Sequence, residues 1–228
     1  MRPKHLLLCA LAAGGVASAA VLSQALAAAA PAPAHPMTFF ITSKTPVGSA
    51  ALGGIKGADK VCQDLATAAG AGKLTWRAYL STQTRGGVLG ENARDRIGKG
   101  PWYNAKGVLI AANVADLHGD IERDRNNIQK SSMLTETGAE VSLEGEFANK
   151  HDVLTGSDSH GRAFPNGLDS TCENWTSDAP DHHAMVGHFD RSGGGNTSWN
   201  STHVSVACSA DKLWANGYAG HLYCFAAD

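Results

Sequence analysis

The sequence is short of the features that mark nucleic-acid, membrane and common catalytic proteins. Charged residues make up only 18% of the 228, and Lys+Arg do not outnumber Asp+Glu (19 against 21). A surface that tracks phosphates or heparin needs a basic excess, so both classes of partner are excluded. Beyond residue 27 no apolar run approaches the roughly 20 residues of a membrane span. There is no Cys-x-x-Cys pair for a zinc ribbon and no Gly-x-Ser-x-Gly nucleophile elbow. Aromatic residues are sparse at 7%, so the place of each of the five tryptophans carries weight.

What is present begins with an export signal. Arg2, Lys4 and His5 precede an apolar, Ala-rich stretch from Leu6 to Leu22, and Ala25-Leu26-Ala27 supplies the small residues of a cleavage site. Residues 1–27 therefore read as a signal peptide and 28–36 as an Ala/Pro tether. The remainder is one domain's length. Setting aside Arg2 and Lys4 leaves 17 basic residues against 21 acidic, a net charge of −4. The expected location is secreted, periplasmic or at the cell surface. Removal of the leader also removes Cys9 and leaves Cys62, Cys172, Cys208 and Cys224. An even number in an exported chain points to disulfides, with three possible pairings.

Periodicity gives the outline of an α+β domain. Met37 to Ser43 alternates as a strand with one buried face. Ala58, Val61, Cys62, Leu65 and Ala69 recur at helical spacing, and Gly70 and Gly72 end that helix. Thr75 to Ser81 is a second strand with Trp76, Ala78 and Leu80 on one face. Asn92 to Ile97 is a short helical turn, and Val108 to Ala112 an apolar run. Arg94, Asp95 and Arg96 read as a solvated turn with a local ion pair. Residues 113–150 are polar and mixed in charge, which suggests a long surface excursion. Val153 to Phe164, with Gly156 and Gly161 at a turn, leads to Cys172-Glu-Asn-Trp175. The last strand is Gly220 to Ala226.

Two stretches carry a family resemblance. Gly54-Ile-Lys-Gly-Ala-Asp59, Cys62 and Arg77-Ala-Tyr-Leu-Ser81 resemble the opening of endostatin-type (collagen NC10) domains, a branch of the C-type-lectin-like superfamily. The run Gly156-Ser-Asp, Gly161-Arg and Cys172-Glu-Asn-Trp175 is similar to the segment before their inner disulfide. Gly195-Asn-Thr-Ser-Trp-Asn200 resembles a segment of bacterial secreted lectin-like proteins. The resemblance implies a C-type-lectin-like domain over 37–228, an antiparallel sheet with flanking helices and long loops. It also implies nested disulfides, Cys62–Cys224 outside and Cys172–Cys208 inside. Chain entropy gives these about 5 and about 4 kcal/mol as upper bounds.

The resemblance does not bring the family's metal sites with it. The Glu-Pro-Asn type of calcium loop is missing, and Val204-Ser-Val-Ala-Cys208 stands where a carboxylate-bearing strand would be. The N-terminal histidines of the endostatin zinc site have no counterpart in Met37 to Ser43. Four histidines (182, 183, 188, 203) and four aspartates (169, 178, 181, 190) nevertheless crowd one region, which leaves calcium or zinc open without naming ligands. The expected function is non-catalytic recognition of a glycan or an extracellular protein through the 178–203 loop. His188, Asp190, Arg191, Asn196, Trp199 and Asn200 are its candidate ligand-binding residues, Trp199 as an exposed stacking platform. A structural cell-envelope or matrix protein without a small ligand is the second reading, and a metal-dependent hydrolase on the same loop the third.

Overall fold

In the computed structural model, residues 33–44, 48–119, 126–142, 149–165, 167–193 and 196–228 are described. The expected signal peptide, residues 1–27, and residues 28–32 of the expected tether lie outside them. Pro33–Asp228 forms one compact unit of helices and small antiparallel sheets.

The organising sheet runs β1 (Phe39–Ile41), β8 (Tyr223–Ala226) and β2 (Trp76–Ala78), with the C-terminal strand in the centre. Phe40 faces Cys224 on one side of β8, and Ala78 faces Cys224 on the other. Successive strand residues point to opposite faces, and both faces are covered. Phe40, Trp76, Ala78, Cys224 and Ala226 enter one apolar cluster, which Trp175 and Leu154 share. Phe39, Ile41, Tyr79, Tyr223 and Phe225 enter a second, with Trp102 and Trp199. The expectation of one buried face for the first strand is thus corrected: a strand buried on both faces reads as a continuous apolar run, and Phe39-Phe40-Ile41 is one.

Helix α1 (Gly54–Ala68) lies against β2 and buries Ala58, Cys62 and Ala66. It starts three residues earlier than the apolar period suggests. Gly57 is required there, because a Cβ would come within 2.0 Å of the Leu52 carbonyl oxygen. Cys62 joins Cys224 in the central strand, and Cys172 joins Cys208, so both disulfides have the nested arrangement. Asp59, also on α1, is nearly buried and accepts from Arg96 Nη2 at 2.7 Å, Arg77 Nη1 at 2.8 Å and the Ala78 backbone N–H at 2.9 Å. Arg96 belongs to α2 (Ala93–Arg96). It is therefore a long-range partner in a buried ion network, not part of a solvated local pair.

A hairpin of β3 (Trp102–Tyr103) and β4 (Leu109–Ala111) follows, then α3 (Val114–His118). The described residues of 113–150 are not all the surface excursion that their polarity suggests. Leu117, Ile128, Met133 and Val141 enter the second apolar cluster, and Leu134 is buried too. Single apolar residues scattered between polar ones suffice when each points inward from a separate turn, a pattern with no period to read.

The third sheet holds β5 (Asp152–Leu154), β6 (Met185–His188) and β7 (His203–Val204), all antiparallel. Between β5 and β6 lies α4 (Cys172–Trp175), where four consecutive non-glycine residues take φ between 48° and 67°. This single left-handed turn costs roughly 1–2 kcal/mol per residue. Asp169 offsets it by accepting the N–H groups of Thr171 and Glu173, and the buried Trp175 indole donates to the Ser81 carbonyl. Helix α5 (Ala210–Ala215) precedes the final strand. Among the described residues no helix is long and apolar enough to cross a membrane.

Candidate metal centre

The β5-β6-β7 sheet gathers histidines by register. Asp152 lies directly opposite His188, and His203 lies opposite Val186, two residues back on the same face as His188. Side chains at i and i+2 of a strand share a face, and opposite or diagonal neighbours across strands come into contact. Asp152, His188 and His203 are thereby brought to one side. His151, just before β5, joins them by stacking on His188 with ring centroids 3.9 Å apart and an interplanar angle of 17°.

Donor atoms of His151, Asp152 and His188 lie close together, and His203 Nε2 adjoins two of them. His188 Nε2 is 3.1 Å from Asp152 Oδ1 and 3.1 Å from His203 Nε2. Asp152 Oδ1 is 3.7 Å from His151 Nε2 and 3.8 Å from His203 Nε2. Tetrahedral zinc with bonds of about 2.0–2.1 Å places its ligand atoms about 3.3 Å apart, so these separations bracket the edges of such a site. His151, Asp152 and His188 form a mutually close trio of metal-binding type, with His203 at its outer side.

The second ring of contacts decides which nitrogen faces inward. His188 Nδ1 donates to the Ser192 carbonyl at 2.8 Å, and His203 Nδ1 to the Val204 carbonyl at 3.0 Å. His151 Nδ1 donates to Asp190 Oδ1 at 3.0 Å. Carbonyl and carboxylate oxygens can only accept, so each Nδ1 carries the hydrogen and each neutral ring turns its Nε2 lone pair to the centre. Metal-binding histidines are oriented in this way. Lone pairs facing each other at 3.1 Å need a proton or a cation between them.

The electrostatics agree. Burial alone would lower His188, but its hydrogen bond to the Asp152 carboxylate and the charge of that group, with the Ser192 carbonyl and Asp190, outweigh it and hold the imidazole above its ordinary value. Burial alone would raise Asp190. The Ser192 hydroxyl and N–H, with the charge and bond of His151, outweigh that and keep its carboxyl below the usual range. The cluster favours positive charge at its centre.

The backbone supports this arrangement. Asp152 N–H donates to the Gly217 carbonyl at 3.0 Å, and Phe189 N–H to the His151 carbonyl at 3.2 Å. Gly187, between Val186 and His188, lets the 198–202 loop cross: a Cβ there would lie 1.9 Å from the Trp199 carbonyl oxygen. That close approach brings the loop, and His203 after it, onto β6.

The residues singled out from sequence divide into three groups. His188 and His203 belong to the centre, and Asp190 to the ring that orients it. Arg191, Trp199 and Asn200 instead hold the protein together. Arg191 donates to the Ile128 carbonyl at 2.5 Å and to Asn126 Oδ1 at 2.7 Å. Trp199 is only 1% exposed and packs against Tyr79 and Tyr223, so the expectation of an exposed stacking platform is corrected. Asn200 is fully buried, and its Nδ2 donates to the Tyr79 hydroxyl at 2.9 Å. Their polar neighbours in sequence disguise an aromatic core that they cap. Asn196 is exposed and closes its own loop by donating to the Ser201 and Thr202 carbonyls.

His182 and His183 stand apart, His182 with Asp169 and His183 with the Ser205 carbonyl. His151 and Asp152 lie outside the histidine- and aspartate-rich stretch from Asp169 to His203, so composition does not single them out. The signal available was the His-Asp pair at the mouth of an apolar strand. A separate cleft of about 260 Å³ is lined by Gln83, Arg85, Asp169, Thr171 and Asn174. The Asn174 side chain there accepts from the Gln83 N–H and donates to the Gln83 carbonyl, and Arg85 pairs with Glu173.

No protein-family model matches the chain, and a search of curated proteins finds no match either.

Proposed function

We propose that this protein binds one divalent transition-metal ion, zinc above all, through His151, Asp152, His188 and His203, and uses it to fix the recognition loop of an exported lectin-like domain. The observation that carries the reading is the convergence of three imidazole Nε2 lone pairs on Asp152 Oδ1, each ring locked by an acceptor at its Nδ1. Imidazole and carboxylate donors suit zinc, whereas calcium prefers six to eight oxygens.

Bound there, the ion would tie β5, β6 and β7 together and hold the 178–203 loop, which closes with the Cys172–Cys208 bridge. The endostatin-like motifs and the nested disulfides support an extracellular C-type-lectin-like domain. With the export signal they support a secreted, periplasmic or surface location. A glycan or an extracellular protein remains the partner class. Trp199 and Asn200 lie in the core, so the partner would meet the rim of the loop, where Ser192, Asn196 and His203 are exposed. The second reading, a structural envelope or matrix protein, is favoured by the donor count: four protein ligands close a tetrahedral site and suit a structural ion.

Calorimetric zinc titration of oxidised, chelator-stripped protein tests the proposal. One ion per chain, lost in His188→Ala and kept in His182→Ala, is expected. Equal binding by wild type and His188→Ala contradicts it.

A further inference from the structure

The four ligands are not equivalent. Asp152 and His188 expose 6% and 2% of their side chains and His151 13%, whereas His203 exposes 42%. Asp152 and His188 pair where β5 begins and β6 ends, and His151 is clamped between the His188 ring and Asp190. His203 stands on a two-residue edge strand with both residues exposed, and its Nδ1 reaches only the carbonyl of its neighbour Val204. Its release would cost one exposed side chain's contacts and leave the buried donors in place.

We infer, building on the metal-binding reading, that His203 is an exchangeable ligand and that an exogenous carboxylate takes its position on the ion. Three protein ligands with a fourth, open position is the arrangement by which zinc meets external ligands. Of the donor types zinc accepts, thiolate is scarce where the chain's own disulfides form, and imidazole is the group that leaves. Carboxylate oxygen remains as the anionic donor that can displace the water such a position otherwise holds. The ion's two positive charges against the single charge of Asp152 leave the first shell cationic and receptive to an anion. Acidic sugars and acidic peptide side chains both carry such a carboxylate, and either could reach the ion from the exposed side that His203 vacates. The exchange is a ligand substitution: the His203 nitrogen leaves the ion and takes up a proton or water contact, and a carboxylate oxygen bonds in its place.

The test loads the full oxidised chain with cobalt(II) and follows its visible d–d spectrum during titration with acetate, then with glucuronate and with N-acetylglutamate. A saturable spectral change in the wild type is expected. His203→Ala should keep one cobalt per chain, within about tenfold of wild-type affinity, and bind acetate at least about tenfold more tightly because no protein ligand competes. Stronger binding of glucuronate than of N-acetylglutamate would identify a sugar acid as the source of the carboxylate, and the reverse order an acidic peptide. The inference is overturned if His203→Ala loses cobalt as completely as His188→Ala, or if no acid alters either spectrum. Failure of the wild type itself to hold cobalt or zinc would remove the metal-binding reading and this inference together.

Discussion

The two three-stranded sheets of this protein are built on opposite principles. The β1-β8-β2 sheet is apolar on both faces, disulfide-linked to α1, and bordered by the buried Asp59 ion network. The β5-β6-β7 sheet is shorter and polar at one end, where it brings three imidazoles and two carboxylates together. The first sheet is held by burial and chain entropy and is complete without a ligand. The second concentrates lone pairs that repel one another unless something positive lies among them. Metal removal should therefore loosen one end of the molecule and leave the other intact.

The largest expected effect falls on the first sheet. Asp59→Ala would leave the buried Arg96 with only the exposed Glu91 carboxylate, 3.4 Å from its Nε, and should cost up to about 3–5 kcal/mol of stability, measured by denaturant unfolding. The loss should be the same with zinc or with chelator, because Asp59 does not touch the centre. The next effect belongs to the second sheet. His188→Ala should weaken zinc binding by more than about a hundredfold, beyond the range seen when an outer-ring partner is lost. The chelated variant should still form both disulfides. Asp190→Asn should weaken it about 10- to 100-fold, since His151 loses the carboxylate that orients it. A zinc titration of each variant checks both.

The smallest effect is one of pH and again separates the regions. His221 sits beside the first sheet, its Nδ1 donating to the Thr42 carbonyl at 2.6 Å. Burial holds it below the ordinary histidine value, against the raising influence of that carbonyl and Glu136. A base depressed on folding contributes stability that is present above its unfolded value of about 6.5 and lost as pH falls through the folded one. Melting temperatures in chelator should therefore fall less between pH of about 6.5 and about 5 for His221→Gln than for wild type. An unchanged slope would mean the imidazole is protonated without penalty.

The contrast also accounts for what was legible in the sequence. Apolar alternation and helical spacing mark β1, α1, β2 and β8, because there the physics of burial acts residue by residue. The burial of Phe39 and Phe40 on both faces was hidden only by assuming a one-sided sheet. The pairing of Cys62 with Cys224 and Cys172 with Cys208 followed from resemblance alone. In the second sheet, Asp152 and His188 meet across 35 intervening positions by strand register, and no local pattern records that. His188 and His203 stood out by composition, while Trp199 and Asn200 looked exposed because Ser, Thr and Asn surround them. Ile128, Met133 and Val141 were illegible for a related reason: each is buried alone from an irregular segment.

One measurement tests the central claim most directly. Zinc content and affinity would be determined on oxidised, chelator-stripped wild type and on His188→Ala, with His182→Ala as the neighbouring histidine outside the centre. The account predicts one tightly held ion per chain in wild type and His182→Ala, and none in His188→Ala. An ion held equally by all three proteins, or by none, would contradict it.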